Sequence, residues 1–334
     1  MPVTIIAEAG VNHNGSLEMA KEMARVAKEC GADIVKYQTA VPELVVSKFA
    51  EKAEYQKQTT DAAESQLEMI RKLHFSFEAH KELKEYCDSI GIQYLSAPFD
   101  VPSVKFLGTL GLPLLKIPSG EITNLPYLEA MAAQKTPVLL STGMSTLDEI
   151  TDALGVLDDG GCPEVTILHC NTQYPTPYED VNLRMIPTLS QTFGCLTGLS
   201  DHTMGGAVAA GAVSLGARMV EKHLTLKRSD GGPDGAFSME PQEFKEMVSQ
   251  IHILEKALGS SEYRLTPKQE KERAGSRSIF VAQDMAEGEV FTEQNIRCIR
   301  PGIGLHTMYY EEILGRKASC PIGKGTPLSW NLIR

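Results

Sequence analysis

The chain has 334 residues, 42% of them hydrophobic and 22% charged, with a formal net charge of −11 at pH 7. That composition is ordinary for a globular protein, and no apolar run nears the ~20 residues a bilayer-crossing helix needs. The acidic balance excludes general affinity for nucleic acid or anionic membrane, so any anionic ligand has to be held by local cations.

In chain order, the start MPVTIIAEAG enters a strand directly, without the basic end and cleavage site of a secretion signal. Eight short runs rich in β-branched residues then follow, each ending in a polar or ionisable cluster. TIIAEAG closes on Glu8, DIVKYQT on Lys36 and Gln38, IQYLSAPF on Ser96, and LLKIPSGE on Lys116, Ser119 and Glu121. VLLSTG closes on Ser141 and Thr142, VTILHCN on His169 and Asn171, LTGLSDH on Ser200, Asp201 and His202, and RMVEKHL on Glu221, Lys222 and His223. Helical periodicity fills the gaps at 16–30, 77–90, 124–134, 146–157, 187–193 and 206–215. Ser16 can cap the first of these and Gly31 can stop it.

Strands alternating with helices predict an α/β fold, a (β/α)8 TIM barrel whose chemistry sits at the C-terminal strand ends. Burying lysine, histidine or glutamate unpaired is costly, so these clusters are expected to ring a polar pocket. Residues 41–73 exceed a plain crossover and are read as an excursion at the barrel mouth, the usual place of lids and substrate walls. A barrel takes roughly 250 residues. Residues 1–258, ending in a helix over 241–258, are therefore assigned to it, and the polar stretch 259–275 to a linker. Residues 276–334 read as a small module with strand-like runs RSIFVAQ and IRCIRPG, near the lower size for an independent core and so expected to lean on a partner. Seven cysteines without a Cys-x-x-Cys pair suit a reducing compartment, which points to the cytoplasm. Cys170 is expected to be a core thiol.

At the mouth, Lys36 and Lys116 combine with the hydroxyls of Ser119, Ser141, Thr142 and Ser200 and the backbone donors of IPSG and STGM. Such a set suits a phosphate or a carboxylate. His202 and His223 are too far apart in sequence for a helical metal motif. At the ends of neighbouring strands, however, they can share a divalent ion, with Glu8 as a further candidate ligand and open positions for substrate.

The segments AEAGVNHNG, VKYQT, SAPFD, KIPSGE, LLSTGM, HCNTQYPTPYEDVNL, GLSDHT, EKH and GGPD, followed by IRPGIG, resemble the sialic acid synthase family, including its legionaminic and pseudaminic acid synthases. The likeness runs along essentially the whole chain, and the tail is similar to the family's antifreeze-like (SAF, β-clip) domain. The resemblance implies a metal-dependent, aldol-type condensation of phosphoenolpyruvate with an open-chain N-acetylated hexosamine, giving a nine-carbon 2-keto acid and phosphate by C–O cleavage. N-acetylmannosamine is the acceptor placed first, with a 6-deoxy-diacetamido hexose as the alternative.

It further implies that Lys36, Gln38, Lys116, Ser119, Ser141 and Ser200 hold phosphoenolpyruvate. His202 and His223 would bind Mn2+ or Mg2+, with Lys116, His202 and His223 counted among the catalytic groups. Glu8 and Glu121 are the candidates for proton transfer and for positioning water or sugar hydroxyls, and Tyr174, Asp234, Glu121 and Arg300 would contact the sugar. Arg300 would reach into a second subunit's site, making a domain-swapped homodimer.

Two positions depart from the family pattern. Ala97 stands where many members have threonine, which removes a hydroxyl expected near phosphoenolpyruvate. The Cys170-Asn171-Thr172 order displaces an asparagine by one position, so Asn171 and Thr172 stay open as site residues. Two other classes compete: a Schiff-base aldolase using Lys116 or Lys36, and a non-catalytic sugar- or ice-binding protein suggested by the tail.

Overall fold

The computed structural model describes residues 2–47, 49–53, 56–57, 60 and 64–334. Eight parallel strands, β1 (Thr4–Gly10), β2 (Ile34–Thr39), β3 (Gln93–Pro98), β4 (Leu115–Ile117), β5 (Val138–Ser141), β6 (Val165–Cys170), β7 (Thr197–Asp201) and β8 (Met219–His223), hydrogen-bond in the order β3-β2-β1-β8-β7-β6-β5-β4. The two strands that end this order, β3 and β4, lie against one another and close the ring. The α/β barrel expected from the sequence is the observed fold.

Side chains alternate across a strand, and that alternation organises the interior. Ile6, Ile34, Leu95, Leu139 and Leu168, from five different strands, pack into one buried apolar cluster. Two residues further along the same strands come Glu8, Lys36, Ala97, Ser141 and Cys170, all of which line a cavity at the strand ends. The opposite faces of these strands, including Ile5, Ala7, Val35 and Tyr37, belong to a larger core shared with the outer helices.

Ser16 caps the helix Leu17–Glu29 by accepting from the Met19 amide, as its position in the sequence requires. The sequence reading did not anticipate the helix Val101–Gly108 after β3. It is set by Asp100, a buried residue whose carboxylate accepts from the Ser103 amide and hydroxyl at 2.8 Å each and from the Val41 amide at 2.7 Å. Helices Phe77–Ile90 and Pro241–Leu258 have the expected bounds. Within 41–73, Pro42–Val45 and Gln66–Leu73 are helical, and Val11, Met69, Ile70 and Leu73 form a small cluster with Val46 packed on it. Where the reading of 41–73 falls on 48, 54–55, 58–59 and 61–63, it lies outside the described residues.

The chain divides into two compact units, Met1–Gly259 and Ser260–Arg334. In the second, β9 (Ser278–Val281) and β10 (Ile296–Ile299) pair antiparallel over a core of Ile279, Val281, Met285, Phe291, Ile296, Ile322 and Leu328. The stretch read as a linker contains a short helix, Pro267–Glu272, closed by a reciprocal Thr266–Gln269 cap. No described helix is long and apolar enough to cross a membrane.

Asp100→Ala strips the cap from Val101–Gly108 and leaves the Val41 amide without its acceptor. Stability should fall by about 2–3 kcal/mol, read as a lower urea midpoint at unchanged slope; an unshifted midpoint would remove Asp100 from this role.

Candidate active site

The cavity at the C-terminal ends of the strands has a volume of about 770 Å3. Its floor is a cluster of four buried ionisable groups. Lys36 Nζ lies 3.1 Å from Glu8 Oε2 and 3.1 Å from Glu221 Oε1, and Lys116 Nζ lies 3.8 Å from the same Glu221 oxygen. Lys116 donates to Ser141 Oγ at 2.7 Å, and Ser200 Oγ donates to Glu221 at 3.0 Å. Strand register creates this arrangement, since Glu8 stands opposite both Lys36 and His223, and Glu221 opposite Ser200.

Burial is the largest influence on each group, and the neighbours decide where it ends. Burial and the Glu221 charge push Glu8 up to about 7 against the pull of Lys36. Glu221 is raised by burial, but Lys116 and Lys36 more than offset this and hold it down at about 2. Lys36 loses to burial and regains more from Glu221 and Glu8, so it stays firmly protonated. Burial lowers Lys116 below the usual lysine value. One carboxylate is thus fixed in its charged form while its neighbour is poised near neutrality, the condition for a proton-transfer group.

Above the floor, the His202 and His223 rings lie 5.2 Å apart between centroids, at 61°. His202 Nδ1 lies 2.6 Å from the Asn171 carbonyl, which leaves its other nitrogen facing away from that contact. His223 Nδ1 and Glu221 Oε2 are buried without a hydrogen-bond partner among the described residues, and Asp234 Oδ2 lies 3.7 Å from the former. Tyr174 packs on His202 at 4.4 Å, and Phe237 on His223 at 5.0 Å. Two neighbouring imidazoles, one of them with a buried unpartnered nitrogen, beside carboxylate oxygen fit a divalent ion. Among the described residues no group of three His, Cys, Asp or Glu forms a closed set, so substrate or water would have to complete the shell. Gly10, at φ +51°, is required here: a Cβ would lie 3.1 Å from Glu8 Oε1, 3.5 Å from Gln38 Nε2 and 3.6 Å from Asp234 Oδ2.

Of the residues singled out in the sequence, Glu8, Lys36, Gln38, Lys116, Ser119, Ser141, Tyr174, Ser200, His202, His223 and Asp234 all line this one cavity. Glu121 does not; it sits in a 3-10 turn after β4, where its carboxylate accepts from Asn124 at 2.7 Å. Arg300 is an exposed residue of the second unit. Thr172 lines the cavity, whereas the Asn171 side chain donates to the Asp180 carbonyl. Ala97 faces the cavity without a hydroxyl, and Ser96 does not replace it because its Oγ is bonded to Thr39 at 2.7 Å.

Two cavity residues were undervalued. Glu221, named only as a strand end, joins both lysines. Cys170, expected to be a core thiol, lines the wall beside His202; burial raises it, and His202, Lys116 and Ser119 bring it down to about 7.

A barrel that gathers two lysines, two glutamates and a histidine pair in one cavity at its C-terminal strand ends defines a class of enzyme. The NeuB family profile matches residues 23–263 and the SAF domain profile matches residues 276–334. The chain is 44% identical over 318 residues to an N,N'-diacetyllegionaminic acid synthase of Campylobacter jejuni, covering 94% of this chain and 95% of that one. It is 42% identical over 338 residues to the synthase of the same name from Legionella pneumophila, covering 100% of this chain and 95% of that one. A crystal structure of the N-acetylneuraminic acid synthetase of Leptospira borgpetersenii superposes with a TM-score of 0.71 at 31% identity, over 81% of this chain and 90% of that one. The chain belongs to the NeuB family.

Three histidines pack beside the cavity. His13 stacks on Phe75 at 4.2 Å, Phe75 meets His80 edge-on at 5.7 Å, and His80 Nδ1 lies 2.9 Å from the Tyr94 hydroxyl. His74, next in sequence to Phe75, lines the cavity. Burial lowers His13 to about 3, His74 to about 4 and His80 to about 3. Each is neutral in the fold and takes up a proton on unfolding below its ordinary value, so its contribution is complete above about pH 6.5 and is lost as pH falls toward 4. Glu8, raised in the fold, opposes them with one proton, whereas His223 and His169, both lowered by burial, act in the same sense as the three. Unfolding free energy from urea titrations should therefore fall as pH drops from 6.5 to 5, by about 1.4 kcal/mol per pH unit for each net proton taken up on unfolding. A flat or rising profile there would contradict neutral buried histidines.

Proposed function

We propose that this chain condenses phosphoenolpyruvate with the open-chain form of an acetamido hexose, releasing phosphate and forming a nine-carbon 2-keto acid. The observation that carries this is the convergence of Lys36, Lys116, His202 and His223, from four strands, on one cavity. Lys36 and Lys116, with Ser119, Ser141 and Ser200, supply two cations and three hydroxyls for a ligand bearing both a carboxylate and a phosphate. His202 and His223 would hold Mn2+ or Mg2+, which when bound polarises the acceptor carbonyl.

The protein's own groups account for the rest of the reaction. Tyr174 and Asp234 orient the acceptor so that C3 of phosphoenolpyruvate, held with the help of Gln38, attacks its aldehyde carbon. Glu8, poised near 7, gives its proton to the oxygen that was the aldehyde and takes one back from the water that adds at C2. The resulting tetrahedral centre expels phosphate by breaking the C–O bond. Glu221 stays ionised and keeps both ammonium groups over the reacting atoms.

The acceptor is proposed to be a 6-deoxy-diacetamido hexose rather than N-acetylmannosamine, which the sequence motifs placed first. The names of the Campylobacter and Legionella relatives support this. So does one wall of the cavity, built from Val11, Val46, Met69, Ile70 and Leu73. A hydroxyl turned to that wall loses its hydrogen bonds to water without replacement, whereas a methyl or acetyl group gains from burial. Arg300 is proposed to act in trans within a homodimer, and the seven unpaired cysteines suit a cytoplasmic setting.

A panel of hexosamines with phosphoenolpyruvate, followed by phosphate release and product mass, should show at least tenfold higher kcat/KM for the diacetamido 6-deoxy acceptor, a difference of about 1.4 kcal/mol. EDTA should abolish turnover and Mn2+ restore it. Equal use of N-acetylmannosamine would overturn the acceptor, full activity in metal-free protein the ion, and a borohydride-trapped lysine adduct with pyruvate the reaction class. For the dimer, mixing Arg300→Ala with Lys116→Ala subunits should restore part of the activity. No recovery, with subunit exchange demonstrated by native mass spectrometry, would place Arg300 elsewhere.

A further inference from the structure

A buried ion pair outside the cavity lies behind the histidines. Lys222 Nζ sits 2.8 Å from Asp201 Oδ2, and both side chains are 1% exposed. Lys222 also donates to the Thr203 carbonyl at 2.5 Å, while the other Asp201 oxygen accepts from the Thr203 amide at 2.9 Å and hydroxyl at 2.8 Å. Neither residue lines the cavity.

Their position follows from strand alternation. Asp201 and Lys222 are register partners across β7 and β8. The residues on either side, Ser200 and, just past the end of its strand, His202, with Glu221 and His223 on the other strand, line the cavity. The pair therefore fills the outward-facing positions between two pairs of site residues. A slip of one residue would turn His202 and His223 out of the cavity and drive an unpaired charge into the barrel, an outcome buried charge forbids.

Stability alone gives little reason for such a pair. Desolvation cancels much of the attraction between buried charges, and well-packed uncharged replacements are often neutral or stabilising. What the pair supplies is geometry: two ends of one bridge on neighbouring strands, plus three hydrogen bonds to Thr203, two of them to its backbone, which hold the residue after His202 against the side chain of the residue before it. We infer that Asp201 and Lys222 are positioning residues, which set the separation and aim of His202 and His223 from behind the strands. This rests on the role proposed above for those imidazoles.

The test uses the full chain with Asp201→Asn and Lys222→Met combined, which removes both charges at similar volume. Three quantities are read: the thermal unfolding midpoint, Mn2+ binding by loss of the free-ion EPR signal, and kcat and KM with phosphoenolpyruvate. The double variant should melt within a few degrees of the parent and keep its KM for phosphoenolpyruvate within twofold. Its Mn2+ dissociation constant should rise tenfold or more, as for other residues that orient metal ligands, and kcat should fall in proportion. A folded double variant with parental Mn2+ affinity and kcat would overturn the inference. If the double variant does not fold, Asp201→Glu keeps both charges and lengthens one arm; parental values there would overturn it equally. Should the parent itself bind no Mn2+ and work without it, the metal reading fails separately, and a parental kcat in the variant would still sink the positioning role.

Discussion

One ammonium group shared by two buried carboxylates governs this structure. Lys36 sits at 3.1 Å from both Glu8 and Glu221, almost fully out of water, with Lys116 3.8 Å from the same Glu221 oxygen. The four groups together are neutral when Glu8 is ionised and positive when it is protonated. Because Glu8 is held near 7 while Glu221 is held near 2, that change is available at physiological pH and is confined to one carboxylate. A floor of this kind can receive a multiply charged anion and pass a proton without rebuilding itself.

The barrel makes such a floor tolerable. The apolar layer of Ile6, Ile34, Leu95, Leu139 and Leu168 seals the interior beneath it, so the charges have only the cavity side open. Low polarity below strengthens each interaction within the cluster and penalises any unpaired member. The same strand geometry that fills the layer with aliphatic side chains delivers the ionisable ones two residues later. Packing and chemistry are thus consecutive turns of one pleat rather than separate features. Behind the strands the Asp201–Lys222 bridge occupies the alternate positions, so the two histidines are constrained from a side that never meets substrate.

Much of this was legible in the sequence, because β-branched runs ending in charge are hard to reconcile with anything but strands that open on a site. The gathering of Lys36, Lys116, His202 and His223 follows from barrel topology once eight such runs are found. Other parts were not legible for identifiable reasons. VPSVKFLG is a short helix left unassigned in the sequence, although Asp100 followed by Ser103 is a helix start that a capping argument could have found. Glu221 stands in an unbroken ionisable triplet, Glu221-Lys222-His223, where only strand alternation separates inward from outward. Applied strictly, that alternation also moves Cys170 to the cavity, since it lies two residues beyond Leu168. Glu121 stands outside the cavity lining because β4 ends at Ile117, and the chain turns into a 3-10 segment before reaching it. Arg300 belongs to a different compact unit, so no pattern within the barrel bears on it.

The claim on which the rest depends is that residues from four separate strands act on one ligand pair in a single space. Crystals grown with phosphoenolpyruvate and Mn2+, examined by anomalous diffraction, test it most directly. The account predicts one manganese peak within coordination distance of a nitrogen of both His202 and His223, with the ligand's phosphate and carboxylate on Lys36 and Lys116. Manganese bound elsewhere, or phosphoenolpyruvate seated away from the two lysines, would contradict it.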